Sequence, residues 1–275
     1  MIKKGTMSEN NPKISNNEIK FIRSLSQKKA REENGCFVVE GEKMVAEAAA
    51  SGFAIKRIYR IEDIGETAMS RISSLDSPSP VLAVVSQPPL QDDWWESLKD
   101  NGLYLALDGI RDPGNLGTII RIADWFGIRT IFVSADTVET FNPKVVQATM
   151  GAIFRVKVVR CSLPLLADKV TSLGGNVYGT FLDGENMYSQ ALDCGMSAPA
   201  VIVTGNESRG ISAELSSHIN RRLFIPPFPA DIRGSESLNA AVATAVTVAE
   251  FRRRQQCGSG LQNPTVGRCA QKVGG

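Results

Sequence analysis

Short apolar stretches alternate with amphipathic ones across the first third of the chain. The helical spacing of Ile19, Ile22 and Leu25 predicts a helix that is capped by Asn16 or Asn17 and runs to about residue 30. The stretches that follow predict three strands at 36–41, 55–61 and 81–85, and two helices at 42–51 and 66–75. Together they indicate a small α/β domain.

From Leu103 onward the same alternation predicts a larger α/β domain. Residues 103–108 form a nearly unbroken apolar run, which is typical of a strand in a parallel sheet covered on both faces. Further strands are predicted at 130–133, 156–159, 176–181, 200–204 and 222–225, and helices at 115–126, 145–151, 163–173, 212–218 and 237–254. Strands that alternate with helices predict a parallel sheet with helices on both sides.

The chain is therefore expected to consist of five parts. Polar residues 1–15 predict a flexible N-terminus, and residues 16–86 form the small domain. Gln87-Pro88-Pro89 interrupts the pattern, so residues 87–101 are expected to be a linker. The larger domain spans 102–256, and the Gly-rich residues 257–275 predict a disordered tail.

Composition narrows the chemistry that the chain can perform. It has 275 residues, a formal net charge of +2, one histidine and five cysteines. His218 alone cannot build a Ser-His-Asp triad or a multi-histidine metal site, and the cysteines include no CxxC pair. There is no apolar run long enough to span a membrane and no apolar segment of a signal peptide. We therefore expect a cytoplasmic protein with no metal, no disulfide framework and no membrane contact.

Basic residues concentrate near the N-terminus. Residues 1–61 carry a net charge of +5, and residues 62–100 carry −6. Several of these cations share a helix face, among them Lys28, Lys29 and Arg31. Such a face attracts a polyanion through counterion release, but a solvated helix surface is the more common explanation of such a pattern.

Three segments at the carboxyl ends of predicted strands hold the candidate chemistry, because ligands of open parallel sheets bind at that edge. Motif 1 is residues 108–117, and the helix after it carries Arg121. Motif 2 is residues 203–211, with two glycines that allow close backbone approach to a ligand. Motif 3 is residues 225–239. None contains the glycine fingerprint of a dinucleotide site or of a P-loop.

The sequences DGIRDPGNLGTIIRIADWFGI, VTGNESRGIS and IPPFPADIRGSESLNAAVATAVTVAE resemble the three motifs of the SpoU (TrmH-like) RNA ribose methyltransferases of the SPOUT superfamily. The resemblance spans residues 103–251. Residues 16–85 are similar to the substrate-binding domain that often precedes it, which has the fold of ribosomal protein L30e. The stretch between Pro226 and Ser237 is longer than in many members, which leaves the position of residues 228–236 open.

The resemblance implies a deep trefoil knot in the larger domain, S-adenosylmethionine as the cofactor and a homodimer. The residues that match the catalytic positions of the family are Asn115, Arg121, Glu207, Ser237 and Asn239. Those that match the cofactor-binding positions are Thr180, Gly205, Asn206, Gly210, Ile225, Pro226 and Leu238. The RNA-binding candidates are Lys28, Lys29, Arg31 and Arg111.

The implied function is transfer of a methyl group from S-adenosylmethionine to a ribose 2′-hydroxyl of structured RNA. The resemblance of the small domain favours rRNA over tRNA, and a non-catalytic RNA-binding protein is the alternative from a different class. Arginine at the position of Arg121 is the proposed base of the family. Because a guanidinium stays protonated at neutral pH, we expect Arg121 to anchor an RNA phosphate and to hold the 2′-hydroxyl instead. The identity of the base and of the target nucleotide stays open.

Overall fold

A computed structural model describes residues 14–89, 93–99, 101–229 and 237–258 of the chain. The flexible N-terminus expected at 1–15, the position of 228–236 and the disordered tail expected at 257–275 lie largely outside these residues. Within them, two α/β units follow one another.

The first unit is a three-stranded antiparallel sheet with helices on both faces. Its strand order is β1-β3-β2. The helices are α1 (Asn16–Ser24), α2 (Lys28–Asn34), α3 (Glu42–Ala50), α4 (Ile61–Ile64) and α5 (Glu66–Ile72), and the strands are β1 (Cys36–Glu40), β2 (Ile55–Arg60) and β3 (Val81–Ser86). One face of the sheet packs on α1 and α5 through Ile22, Met69 and Leu82.

The first helix differs from its prediction at both ends. Ser15 caps α1, and neither Asn16 nor Asn17 does, because the Ser15 hydroxyl accepts the Glu18 N–H while the Glu18 carboxylate accepts the Ser15 N–H. The helix does not continue to residue 30. It ends at Ser24, and α2 begins at Lys28 after the carbonyls of Leu25 and Ser26 turn toward the Arg31 guanidinium.

The second unit is a six-stranded sheet of order β6-β5-β4-β8-β7-β9, in which every adjacent pair is parallel. This confirms the parallel sheet. The strands are β4 (Gly102–Leu107), β5 (Thr130–Val133), β6 (Lys157–Arg160), β7 (Asn176–Asn186), β8 (Pro199–Thr204) and β9 (Arg221–Phe224). The helices are α6 (Pro113–Trp125), α7 (Pro143–Thr149), α8 (Leu163–Ser172), α9 (Ala213–Ser216) and α10 (Ala240–Gly258), with 3-10 turns at Trp94–Ser97 and Ala152–Phe154.

The apolar side chains of the central strands are buried on both faces of this sheet, where helices cover them. Leu105 and Ile202 face α6 and α10, while Ala106 and Val203 face α8. All four side chains are at most 1% exposed. Burial on both faces explains why these strands read as unbroken apolar runs and not as alternating ones.

Most elements of the second unit differ from their predicted bounds by one or two residues, and β7 and α10 differ by more. β7 extends to Asn186 and not to residue 181, because it pairs with β9 a second time at Glu185 after an irregularity. α10 begins at Ala240 and not at residue 237, because the Asn239 side-chain oxygen caps it by accepting the N–H groups of Ala241 and Val242 at 2.9 and 3.3 Å.

The second face of the small sheet packs against the larger unit. Phe37 of β1 stacks on Phe141 with ring centroids 4.6 Å apart, and it shares an apolar cluster with Val146 of α7. Ion pairs between Arg31 and Glu139 and between Glu47 and Arg155 join the units at separate places. The two units therefore form a packed interface that fixes their relative positions.

Candidate active site

The three motifs meet at one edge of the larger sheet. Motif 1 follows β4, motif 2 follows β8 and motif 3 follows β9. In the sheet, β4 is next to β8, and β7 separates β8 from β9. The register sets Leu107 beside Thr204 and Thr180 beside Leu223. Because all these pairs are parallel, their carboxyl ends lie at the same edge, as expected.

Asn115 joins the three motifs through its side-chain amide. Its Nδ2 donates to Glu207 Oε1 of motif 2 at 2.5 Å, and its Oδ1 accepts from Asn239 Nδ2 of motif 3 at 2.9 Å. Asp112 caps α6 by accepting the Asn115 N–H at 2.7 Å, so the backbone under this side chain is also held. The structure thus brings three of the predicted catalytic residues into direct contact.

Motif 2 folds into a closed turn that only glycine permits at its base. Asn206 and Gly210 exchange backbone hydrogen bonds of 2.9 and 2.8 Å. A Cβ at Gly205 would lie 2.3 Å from the Gly210 carbonyl carbon, and Gly210 itself has φ +68°. The Asn206 Nδ2 donates to the Gly109 carbonyl at 2.8 Å, which ties this turn to motif 1.

Buried hydroxyls tie motif 2 to the last helix. Thr204, at the end of β8, lies 2.9 Å from Thr244 between their Oγ1 atoms. The Thr244 hydroxyl proton is committed to the Ala240 carbonyl at 2.8 Å, so Thr204 is the donor to Thr244. Both side chains are almost fully buried, so this contact fixes α10 and its cap Asn239 against the sheet.

The predicted cofactor positions line the same edge. Thr180, Ile225 and Pro226 are partly buried there, and Leu238 is 47% exposed beside Asn239. Among the described residues, the backbone N–H groups of Gly205 and Leu238 donate to no other group. Free amides next to half-exposed apolar side chains suit a ligand that combines a flat apolar ring with polar edges.

Two predicted catalytic residues lie apart from the Asn115 cluster. Arg121 is exposed on α6, six residues or about 9 Å along the axis from Asn115. It forms no ion pair with any residue that the structure describes. Ser237 is exposed before α10, and among the described residues it makes no hydrogen bond with Asn115 or Glu207.

The predicted RNA-binding cations occupy different environments. Lys28 and Lys29 are exposed on α2 and pair loosely with Glu32 and Glu33 at 3.6 and 3.8 Å. Arg111 is exposed in motif 1, with its guanidinium 3.5 Å from the Asp136 carboxylate. The Ser134 hydroxyl, followed by Arg111, holds the pKa of Asp136 below its ordinary value.

The expectation that Arg31 contacts RNA is wrong for this structure. Its side chain is 2% exposed, since it points from α2 into the interface between the two units. There it binds the Glu139 carboxylate and the carbonyls of Leu25 and Ser26. A buried guanidinium with all these partners has no face left for a phosphate.

Sequence reasoning missed the residues that support motif 1 from the neighbouring strand. Ser134 accepts the Gly109 N–H at 2.8 Å, and Asp136 accepts the Ser134 hydroxyl at 2.7 Å. Both follow β5 directly. The rule that the carboxyl ends of adjacent parallel strands share an edge could have found them.

The described residues contain no group of three or more His, Cys, Asp or Glu side chains that could hold a metal ion. No helix in the described part of the chain is long and apolar enough to cross a membrane.

Comparisons with known proteins agree with this geometry. The model of the SpoU rRNA Methylase family matches residues 102–249, and that of the MRM3-like substrate binding domain matches residues 16–84. The chain is 31% identical to the 23S rRNA (guanosine(2553)-2'-O)-methyltransferase RlmP of Bacillus subtilis over 252 residues, which cover 86% of this chain and 96% of that protein.

Solved structures share the fold across both units. An AdoMet-bound rRNA methyltransferase from Sinorhizobium meliloti has a TM-score of 0.76 and 31% identity, and the match covers 90% of this chain and 97% of that one. A Porphyromonas gingivalis protein, provisionally assigned as an RNA methyltransferase of the TrmH family, has a TM-score of 0.77 and 37% identity, covering 88% and 99%. The chain therefore belongs to the SpoU rRNA methylase family.

Proposed function

We propose that the protein transfers a methyl group from S-adenosylmethionine to a ribose 2′-hydroxyl of structured RNA, with rRNA as the substrate class. The observation that supports this most is the contact of Asn115 with Glu207 and Asn239, which assembles the three family motifs at one sheet edge. The RNA named for the Bacillus subtilis relative, 23S rRNA, is the first to test.

The residues at this edge fit S-adenosylmethionine. The free N–H groups of Gly205 and Leu238 would hold the polar edge of the adenine or the ribose, and Leu238 and Ile225 would cover its apolar face. Thr180, Asn206, Gly210 and Pro226 would complete the wall of the cofactor site. When bound, the cofactor supplies an electrophilic methyl group on a positively charged sulfur.

The chain's own residues would align the ribose with the methyl group of the cofactor. A 2′-hydroxyl is a weak nucleophile, so holding it in line with the methyl carbon provides much of the acceleration, about 7–11 kcal/mol for well-oriented groups. Asn115 and Asn239 would orient the ribose, and Glu207 would keep Asn115 in the required orientation. Ser237 lies beside Leu238 and would reach the same ligand.

Arg121 would anchor the RNA phosphate next to the target ribose. It is exposed and makes no ion pair within the described chain, so its charge is available to an anion. Arg111, Lys28 and Lys29 would extend this cationic surface toward the small domain. Phosphate contacts of this kind position an RNA without reading its sequence.

The assembly that we propose is a homodimer joined through α6 and α10. Trp125 on α6 is 85% exposed, and Val242 on α10, which packs against α6, is 48% exposed. Trp125 lies one turn from Arg121 on the same face of α6, so a second copy seated here would bring the two Arg121 side chains into or near the interface. We also propose that the larger domain contains the deep trefoil knot that the family resemblance implies.

The place of action that we propose is the cytoplasm, where rRNA is assembled. Four cysteines in the described residues, Cys36, Cys161, Cys194 and Cys257, are free thiols. Burial raises the pKa of the Cys161 thiol to about 12 and that of Cys194 to about 11, so these thiols are unreactive and compatible with a reducing compartment.

Two measurements test the function. Calorimetry with S-adenosylmethionine should show binding, and tritiated S-adenosylmethionine should label unmodified 23S rRNA at a nucleotide whose 3′ phosphodiester bond resists alkaline hydrolysis. RNA binding without any cofactor binding would instead favour the non-catalytic protein. Labelling of tRNA but not of 23S rRNA would show that the substrate class is tRNA and not rRNA.

A further inference from the structure

Residues 134–142, here called the bridging loop, connect β5 to α7 and support motif 1 from the side. The Gly109 N–H donates to Ser134 Oγ at 2.8 Å, and the Val138 N–H donates to the Ile110 carbonyl at 2.8 Å. The Thr137 hydroxyl donates to the Leu107 carbonyl at 3.2 Å. Motif 1 therefore takes the position that the bridging loop gives it.

Arg160 holds the bridging loop in one conformation. Its guanidinium donates to the carbonyls of Ser134, Ala135 and Thr137 at 2.7, 2.5 and 3.0 Å. Three carbonyls gathered by one planar donor leave the loop little freedom, because the fork geometry of arginine is rigid. The C-terminal end of the bridging loop, at Asn142, is fixed as well, since the Asn142 side chain caps α7.

The same loop receives the small domain. Glu139 binds the Arg31 guanidinium, whose Nε lies 3.0 Å from Glu139 Oε2. Arg31 also donates to the carbonyls of Leu25 and Ser26 at 2.8 Å each, so it gathers the turn between α1 and α2. Exposures of 2% for Arg31 and 17% for Glu139 place this ion pair in a water-poor interface, where it is little screened by salt.

Gly109 continues the connection into the active-site edge. Its N–H is held by Ser134 of the bridging loop, and its carbonyl accepts from Asn206 of motif 2. Motif 2 in turn supplies Glu207 to Asn115. An unbroken series of hydrogen bonds and short chain segments therefore runs from Arg31, on the helix that carries Lys28 and Lys29, to the residues that would orient the ribose.

We propose that Arg31 and Glu139 are positioning residues for methyl transfer, which fix the small domain, and the RNA bound to it, relative to the site around Asn115. This rests on the proposed function. Loosening the ion pair leaves the cofactor pocket and the cationic surface intact but lets the bound RNA present its ribose out of line. A misplacement of about 1 Å lowers the rate up to about 100-fold.

The test compares Glu139→Gln, Arg31→Lys and the double variant Arg31→Met/Glu139→Gln with the wild-type protein. The substrates are unmodified 23S rRNA and a short RNA hairpin that contains the nucleotide methylated by the wild type. We expect kcat on 23S rRNA to fall about 10- to 100-fold, with unchanged affinity for S-adenosylmethionine and for RNA. Activity on the hairpin, which does not reach the small domain, should not change. The double variant removes the same ion pair together with the hydrogen bonds from Arg31 to the Leu25 and Ser26 carbonyls, so it should lose at least as much as Glu139→Gln.

Glu47→Gln is the matched control. Glu47 also pairs across the interface, with Arg155, but it does not touch the bridging loop. The double variant leaves no unpaired buried charge, so it decides the question if Glu139→Gln fails to fold. Wild-type kcat in the double variant, an equal loss on the hairpin, or an equal loss in Glu47→Gln would each overturn the positioning role. If the wild type methylates no RNA, the proposed function fails and this role fails with it.

Discussion

The side-chain amide of Asn239 donates to the side-chain oxygen of Asn115 at 2.9 Å, although 124 residues separate the two in the sequence. Because the Asn115 Nδ2 is engaged by Glu207, the Asn115 oxygen must face Asn239, and the amide has one orientation. Asn239 also caps α10, so the last helix and motif 1 share one contact. The active-site edge thus exists only when the C-terminal helix is in place.

Asn115→Asp should abolish methyl transfer while the affinity for S-adenosylmethionine stays near that of the wild type. The new carboxylate would replace the Nδ2 donor and face the Glu207 carboxylate, so repulsion between like charges would turn the side chain at position 115 out of the orientation that holds the ribose. Tritium transfer to 23S rRNA and calorimetry measure the two properties. Asn101→Asp, at an exposed position before β4, is the control and should keep full activity. An active Asn115→Asp enzyme would remove Asn115 from the proposed role.

Arg121→Ala should weaken RNA binding and flatten its dependence on salt. A residue that contacts one phosphate contributes about one unit to the slope of log K against log salt concentration, so the slope should fall by about 1. Filter binding at several salt concentrations measures it. Arg129→Ala is the control, because Arg129 is also exposed, four residues after the end of the same helix, but faces Asp124 at 3.5 Å. An unchanged slope with lost activity would indicate that Arg121 acts on the ribose and not on a phosphate.

The arrangement of the motifs could be predicted from the sequence because strong local signals specify it. The apolar runs at 103–108 and 200–204 predict buried parallel strands, and such strands place the loops after them at one edge. Ser15 was missed as the cap of α1, since Asn16 and Asn17 are equally good cap residues and only the reciprocal contact with Glu18 decides.

Long-range contacts could not be predicted from the sequence. In the sequence, nothing distinguishes Arg31 from the neighbouring cations Lys28 and Lys29. Its burial depends on Glu139, which is 108 residues away. The same holds for the second pairing of β7 with β9 at Glu185, which follows an irregularity that no local pattern signals. Helix caps, turns and apolar periodicity are local properties, whereas the partner of a charge is a property of the fold.

Thr244→Val should lower the free energy of unfolding by about 1–3 kcal/mol, because it leaves the buried Thr204 hydroxyl without its acceptor. Thr204→Val/Thr244→Val should cost less than Thr244→Val, since it removes both polar groups and leaves no buried donor unsatisfied. Urea unfolding followed by fluorescence measures these changes. Ser172→Ala, which loses only an exposed hydroxyl contact on α8, is the control. A double variant less stable than the single one would contradict this account.

Glu250→Gln should lower the free energy of unfolding at neutral pH. The wild type should lose the same contribution when the pH falls into the acid range. Hydrogen bonds from Arg253, followed by those from Arg254, lower the pKa of the Glu250 carboxyl from 4.5 to about 2. A carboxyl with a lowered folded-state pKa stabilises the fold above its unfolded value, and that contribution disappears as the pH falls from about 4.5 to about 2.

The difference in unfolding free energy between wild type and Glu250→Gln should therefore be largest above pH 5 and shrink toward pH 2. Denaturant titrations across this pH range measure it, with Glu32→Gln as the control because Glu32 is exposed and pairs loosely with the exposed Lys28 at 3.6 Å. Arg254 also binds the carbonyls of Met187 and Tyr188, so the Glu250 charge holds α10 against the segment after β7. A difference that stayed constant from pH 7 to pH 2 would show that Glu250 stabilises α10 by packing and not by its charge.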